Sequence, residues 1–159
     1  MNHILAAIAE EQAKQNYHGN TTAAISNLQP LAQAFEEVGA ETLTSLEHRW
    51  GGAFLYRCLF LAGIELPPRY PDPRVTESFA APTAWEAYAK LPKIGLWRQA
   101  GEPEVGDVLF WSGKQGELYL GVLLRTDGET MELALGDYHN HSAVVERSVE
   151  QPLRGFVRF

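Results

Sequence analysis

Trp50-Gly-Gly-Ala-Phe-Leu-Tyr-Arg-Cys-Leu-Phe-Leu-Ala-Gly-Ile64 is the stretch that decides the fold. Its apolar residues, Ala53, Phe54, Cys58, Leu59, Phe60, Leu61 and Ala62, surround a helix on nearly every side, and a helix without a polar face belongs inside a domain. Gly63 supplies the left-handed stop, and Pro67 and Pro68 bar any continuation. The spacing therefore predicts a buried central helix entered through Trp50 and Gly51. The N-terminus of such a helix points backbone N–H groups and a partial positive charge at whatever side chain stands there. Here that position is Gly51, which has none.

On the N-terminal side, Ile4, Leu5, Ile8 and Gln12 fall on one face at helical spacing, which predicts a surface helix over 2–15 with Asn2 as its cap. Gly19 breaks that pattern, and Thr21-Thr22 opens a short helical segment through Ile25. Pro30 suits the first turn of a further helix carrying Leu31, Phe35 and Val38 and ending at Gly39. Residues 40–48 are assigned no element. On the C-terminal side, Pro67, Pro68, Pro71, Pro73 and Pro82 exclude regular helix and predict an extended loop walling a site. Thr83-Ala-Trp-Glu-Ala-Tyr-Ala-Lys-Leu91 predicts a short helix in which Thr83 and Glu86 form a capping box and Trp85 faces the core.

The pattern changes at Gly101. Runs at 108–111, 117–125, 130–135, 143–147 and 155–159 read as strands, separated by Ser112-Gly-Lys-Gln-Gly116, Thr126-Asp-Gly128, Gly136-Asp137 and Gln151-Pro152. The fold class that follows is α+β, a helical N-terminal layer packed on a curled antiparallel sheet of about five strands. One domain over 1–159 is expected, helical in about 1–92 and strand-rich in about 101–159.

A formal net charge of −7 with no basic cluster argues against nucleic acid as a partner. The first residues lack a basic region before an apolar run, and no apolar segment is long enough to cross a bilayer, so neither a secretory signal nor a membrane partner is expected and the cytoplasm is the expected location. A single cysteine excludes internal disulfides and fits a reducing compartment. No cofactor is called for.

With these pieces placed, the chain resembles the CHAP family of cysteine, histidine-dependent amidohydrolases and peptidases, relatives of the NlpC-type cell-wall peptidases with a papain-like fold. Trp50-Gly-Gly-Ala-Phe54 with Ala62-Gly-Ile64 is similar to the family's Trp-Cys-Gly-Ala-Phe and Ala-Gly-Ile, and Pro103-Glu-Val-Gly-Asp107 to its Pro-x-x-Gly-Asp entry into the first strand. Tyr119-Leu-Gly-Val122 stands where the family carries His-x-Gly-Val, and Gly136-Asp137 resembles its Gly-Asn turn. Ser142-Ala-Val-Val-Glu-Arg-Ser148 and Arg154-Gly-Phe-Val-Arg158 look like the last two strands of certain bacterial members.

The resemblance implies a thiol nucleophile, an imidazole base and a polar group orienting that base. Carried over position by position, the nucleophile falls on Gly51, the imidazole on Tyr119 and the orienting group on Asp137. Glycine cannot attack a carbonyl, and a phenol with a reference pKa of about 10 is a poor proton acceptor near neutral pH. The leading expectation is a catalytically silent member whose remnant cleft, with Trp50, Gly51, Tyr119, Asp137 and His139 as ligand contacts, binds a peptide, a peptidoglycan-like fragment or a protein partner. An active amidase or peptidase would need Cys58 as a displaced nucleophile served by His139 or His141, although Cys58 lies two turns, about 10 Å, further along the helix. A structural or oligomerisation role is the third reading. His139 and His141, with Asp137 and His48, offer too few ligands for a dedicated zinc centre, and none is assigned. Arg49, Arg57, Arg69 and Arg74 read as scattered surface charge; Trp50, Trp85, Trp97 and Trp111 read mainly as core, with a ligand groove as the other reading.

Overall fold

In the computed structural model, residues 2–32, 50–66 and 78–159 are described. Phe35, Val38, Gly39, the stretch 40–48, His48, Arg49 and the loop of Pro67, Pro68, Arg69, Pro71, Pro73 and Arg74 lie outside them.

Helix α1 (His3–Ala13) begins where Asn2 Oδ1 accepts the Leu5 N–H at 3.1 Å. Its buried face is Leu5, Ala6, Ala9, Gln12 and Ala13, while Ile4 is 66% exposed. The expected stripe is thus rotated. Three alanines, weak in a hydrophobic count, let the helix lie close against the sheet and the central helix. Thr21 to Ile25 is not helical. Thr21 Oγ1 accepts the N–H groups of Ala23 and Ala24, and Thr21 N–H donates to the Ala24 carbonyl, so a side chain closes a turn where a helix was expected. Helix α2, described over Gln29–Ala32, has Pro30 in it.

The central helix α3 (Gly51–Leu61) buries Gly51 through Tyr56 together with Cys58 and Leu59, and Gly63 ends it at φ +69°. Phe60 and Leu61, expected inside, are 60% and 40% exposed, because the last turn emerges from between α1 and the sheet. Helix α4 (Pro82–Ala89) starts one residue before the expected cap. Proline has its φ preset and no N–H to satisfy, so Pro82 occupies the first turn and no capping box forms. Glu86 instead pairs with Arg154 and Lys90. Among the described residues no helix is long and apolar enough to cross a membrane.

The sheet has six strands, β1 (Trp97–Arg98), β2 (Val108–Ser112), β3 (Leu118–Thr126), β4 (Thr130–Tyr138), β5 (His141–Ser148) and β6 (Gly155–Val157), in the order β1-β6-β2-β3-β4-β5, every pair antiparallel. The sixth is β1, two residues long and too short to show alternation. Gly136-Asp137 is not a turn. It lies inside β4, which has an irregular register between Leu135 and Tyr138, and the chain reverses at His139 and Asn140, both in the left-handed region. Gly136 answers a packing demand, since a Cβ there would stand 2.2 Å from Phe54 Cβ.

Both faces of the central strands β2, β3 and β4 are buried. Val108, Phe110, Leu120, Val122 and Ala134 join the helices in one core, while Leu109, Trp111, Leu123, Leu133, Leu135 and Phe156 form a second. Arg147 on β5 lies 4.6 Å from the ring centroid of Trp111 on β2. In a flat sheet those strands would be three spacings, roughly 14 Å, apart, so the sheet curls around its second core.

Candidate ligand groove

At the start of α3 the backbone is pinned by one carboxylate. Asp137, 6% exposed, accepts the Trp50 N–H on Oδ2 at 3.1 Å and the Asn140 N–H on Oδ1 at 3.0 Å. Asn140 in turn accepts the Trp50 Nε1–H at 3.4 Å, donates to the Asn20 carbonyl and accepts the Gly19 N–H. The positive φ of Asn140 aims these groups at the helix start. The nearest atoms to a Cβ built on Gly51 would be Pro82 Cγ at 3.5 Å, Asp137 Cβ at 3.8 Å and Asp137 N at 3.9 Å, all ordinary contacts. At Gly52 it would stand 2.4 Å from the Phe79 carbonyl oxygen. Two of the three expected positions, Gly51 and Asp137, are therefore adjacent.

Tyr119 stands on β3 opposite Trp111 and stacks on it, ring centroids 5.8 Å apart, with Tyr138 at 6.0 Å on its other side. Its hydroxyl donates to Glu117 Oε1 at 3.2 Å. Desolvation, then the Glu117 charge, pushes its pKa up to about 12, with Asp137 adding to the effect. Tyr119 thus stays protonated at neutral pH and acts as a hydrogen-bond donor. His139 occupies the tight turn, exposed, its ring 4.4 Å from Tyr138, and its carbonyl accepts from His141 Nδ1 at 3.2 Å. Among the described residues no group of three or more His, Cys, Asp or Glu is placed to hold a metal ion.

Cys58 lies in the main core at 0% exposure, where burial pushes its thiol well up, the nearby Arg57 charge opposing only weakly. A thiolate is disfavoured there.

A groove of about 1010 Å³ opens beside these groups, lined by Pro82, Trp111, Tyr119, Asp137, Tyr138, His139 and Arg147 among others. Trp50 and Gly51 do not line it. Trp50 is fully buried with both its N–H groups engaged, and Gly51 sits behind Pro82 and Asp137, so these two expected contacts support the wall and do not form it. Trp85 is core, donating to the Phe79 and Gly52 carbonyls, and Trp97 packs under Lys90; of the four tryptophans Trp111 alone lines the groove. Sequence reasoning missed Tyr138 and Arg147. The signal available was the period of two, which puts Val145 and Arg147 on the face shared with Leu109 and Trp111.

No protein-family model, no curated protein and no solved structure matches this chain.

Proposed function

We propose that the chain is a papain-like, CHAP-like protein without that family's catalytic pair, which binds a peptide or peptidoglycan-like fragment in the groove beside the central helix. The observation that carries this reading is the juxtaposition of a Cβ position at Gly51 that a side-chain atom would fit without clash, the buried Asp137 and an aromatic-walled groove at one helix start. Acyl transfer needs a nucleophile and a base. Gly51 offers no attacking atom, Tyr119 keeps its proton to a pKa of about 12, and Cys58 is sealed in the core. What the groove retains is the equipment for binding: flat rings at Trp111, Tyr119 and Tyr138 on neighbouring strands, with polar groups at their margins.

The test is an NMR titration of the labelled full chain with short peptides and with soluble peptidoglycan fragments, alongside an amide-hydrolysis assay. Saturable shifts at Trp111, Tyr119, Tyr138 and His139, lost in Trp111→Ala, and no hydrolysis are the expected result. Hydrolysis abolished by Cys58→Ala would replace this reading with the displaced-nucleophile one, and an unresponsive groove would remove it.

A further inference from the structure

Arg147 differs from the paired arginines on and beside the sheet. Arg125 is held by Glu10 and Glu132, Arg154 by Glu86, and Arg158 by Glu104 and Asp107. Arg147 lines the groove instead, over the Trp111 ring, and among the described residues its hydrogen bond is a single long one, Nη2 to the Pro152 carbonyl at 3.3 Å. Among the described residues its Nε is buried and meets no acceptor, and no carboxylate pairs with the guanidinium. A half-buried cation without a counter-ion is costly, and ring stacking offsets only part of that cost. Desolvation accordingly holds its pKa below the usual arginine value.

Among the described residues none of the acidic groups of the same groove forms an ion pair with this guanidinium. Asp137 is oriented by the Trp50 and Asn140 N–H groups, and Glu117 by the Gln115 N–H and the Tyr119 hydroxyl. Glu146, which precedes Arg147 on β5, also lines the groove, but it is exposed and makes no ion pair with the guanidinium among the described residues. Lys114, on the β2–β3 turn, adds a second cation to the lining.

We propose that Arg147 is the carboxylate-recognising residue of the groove, and that its occupant is a peptide whose free carboxylate pairs with the guanidinium while its neighbouring residues lie on the Trp111 and Tyr119 rings. This rests on the groove being a peptide site. A guanidinium centred 4.6 Å from an indole ring is already partly immobilised, so its planar fork loses less further freedom on pairing with a bidentate carboxylate.

Three probes test it on the full chain by NMR titration: N-acetyl-Ala-Ala-Ala as the free acid, the same peptide as its C-terminal amide, and N-acetyl-Ala-Glu-Ala amide, whose carboxylate is on a side chain. The free acid should bind about tenfold or more tighter than its amide. Arg147→Met, which keeps a flexible apolar stem over Trp111, should abolish that preference while retaining a folded spectrum. Arg147→Lys, which keeps the charge without the fork, is the second variant should Met disturb the fold, and should reduce the preference. Tight binding of the Glu peptide would assign the source to an acidic side chain, and weak binding to a chain terminus; either supports carboxylate recognition. Equal binding of acid and amide, or a preference surviving in both variants, overturns the role of Arg147 and leaves the groove as a peptide site. Failure of all three probes to shift the groove removes both.

Discussion

Two adjacent glycines at the start of α3 should respond in opposite ways to the same methyl group. In Gly52→Ala the new Cβ would meet the Phe79 carbonyl oxygen at 2.4 Å and Ala80 backbone atoms at 2.8 Å, against the 3.4 Å at which ordinary contact begins. About 1 Å of retreat is needed, from backbone that cannot rotate away. That backbone also accepts the Trp85 Nε1–H at 2.8 Å through Phe79 and the Ala53 N–H at 3.0 Å through Ala80. Overpacking of about 1–3 kcal/mol, two hydrogen bonds at about 1 kcal/mol each, and a helix-propensity gain of up to about 1 kcal/mol leave a net loss of about 2–4 kcal/mol. For a domain of this length that lowers Tm by roughly 5–15 °C. In Gly51→Ala the methyl meets nothing closer than 3.5 Å, so the propensity gain survives and stability should be unchanged or raised by up to about 1 kcal/mol. Urea unfolding followed by tryptophan fluorescence reads both values. A Gly51→Ala variant destabilised by more than about 1.5 kcal/mol, or a neutral Gly52→Ala, would refute the claim that a methyl fits at one position and clashes at its neighbour.

Glu86 provides a pH test. Burial alone would raise its pKa, but its bonds to Arg154 and Lys90 prevail and hold it below the ordinary value of 4.5. A depressed folded-state pKa contributes stability above the unfolded value and loses it as pH falls through the folded one. Glu86→Gln should therefore cost about 1–2 kcal/mol at pH 7 and progressively less below about pH 4.5, read as converging urea midpoints; parallel curves would contradict it. Tyr119, at a pKa of about 12, should appear in the ultraviolet difference between wild type and Tyr119→Phe as a phenol ionising well above 10, and Glu117→Gln should lower that pKa; stability linked to its neutral form persists below about pH 10 and fades through 12. The Cys58 thiol, at 0% exposure, should resist alkylation at pH 8 until the chain is unfolded, as intact mass would record, whereas rapid native labelling would revive a displaced nucleophile.

Much of the architecture is local and was legible. The apolar run after Trp50, the Gly63 stop, the Asn2 cap and the alternating strands each follow from the residues that form them. Apart from residues 21–25, where the Thr21 side chain closes a local turn, the differences at the capping box and the β4 turn fall where a nonlocal partner prevails. Thr83 and Glu86 spell a capping box, but Arg154, 68 residues beyond Glu86, takes the glutamate. Gly136-Asp137 spells a turn, but Phe54 requires the missing Cβ and Trp50 takes the carboxylate, so the reversal moves to His139 and Asn140.

The candidate site divides the same way. From its residues alone the chain declares an α+β plan, a central helix beginning at a glycine, and the absence of Cys and His from the positions the resemblance would require. Only the tertiary structure decided that Gly51 and Asp137 meet, that Trp50 lies behind the wall and not in it, and that Trp111, Tyr138 and Arg147 line the groove. Periodicity reports which face of an element is apolar, because that depends on a few neighbouring residues. Which elements converge depends on how the sheet curls, and the curl that brings Arg147 from β5 onto Trp111 of β2 is a property of all the strands together.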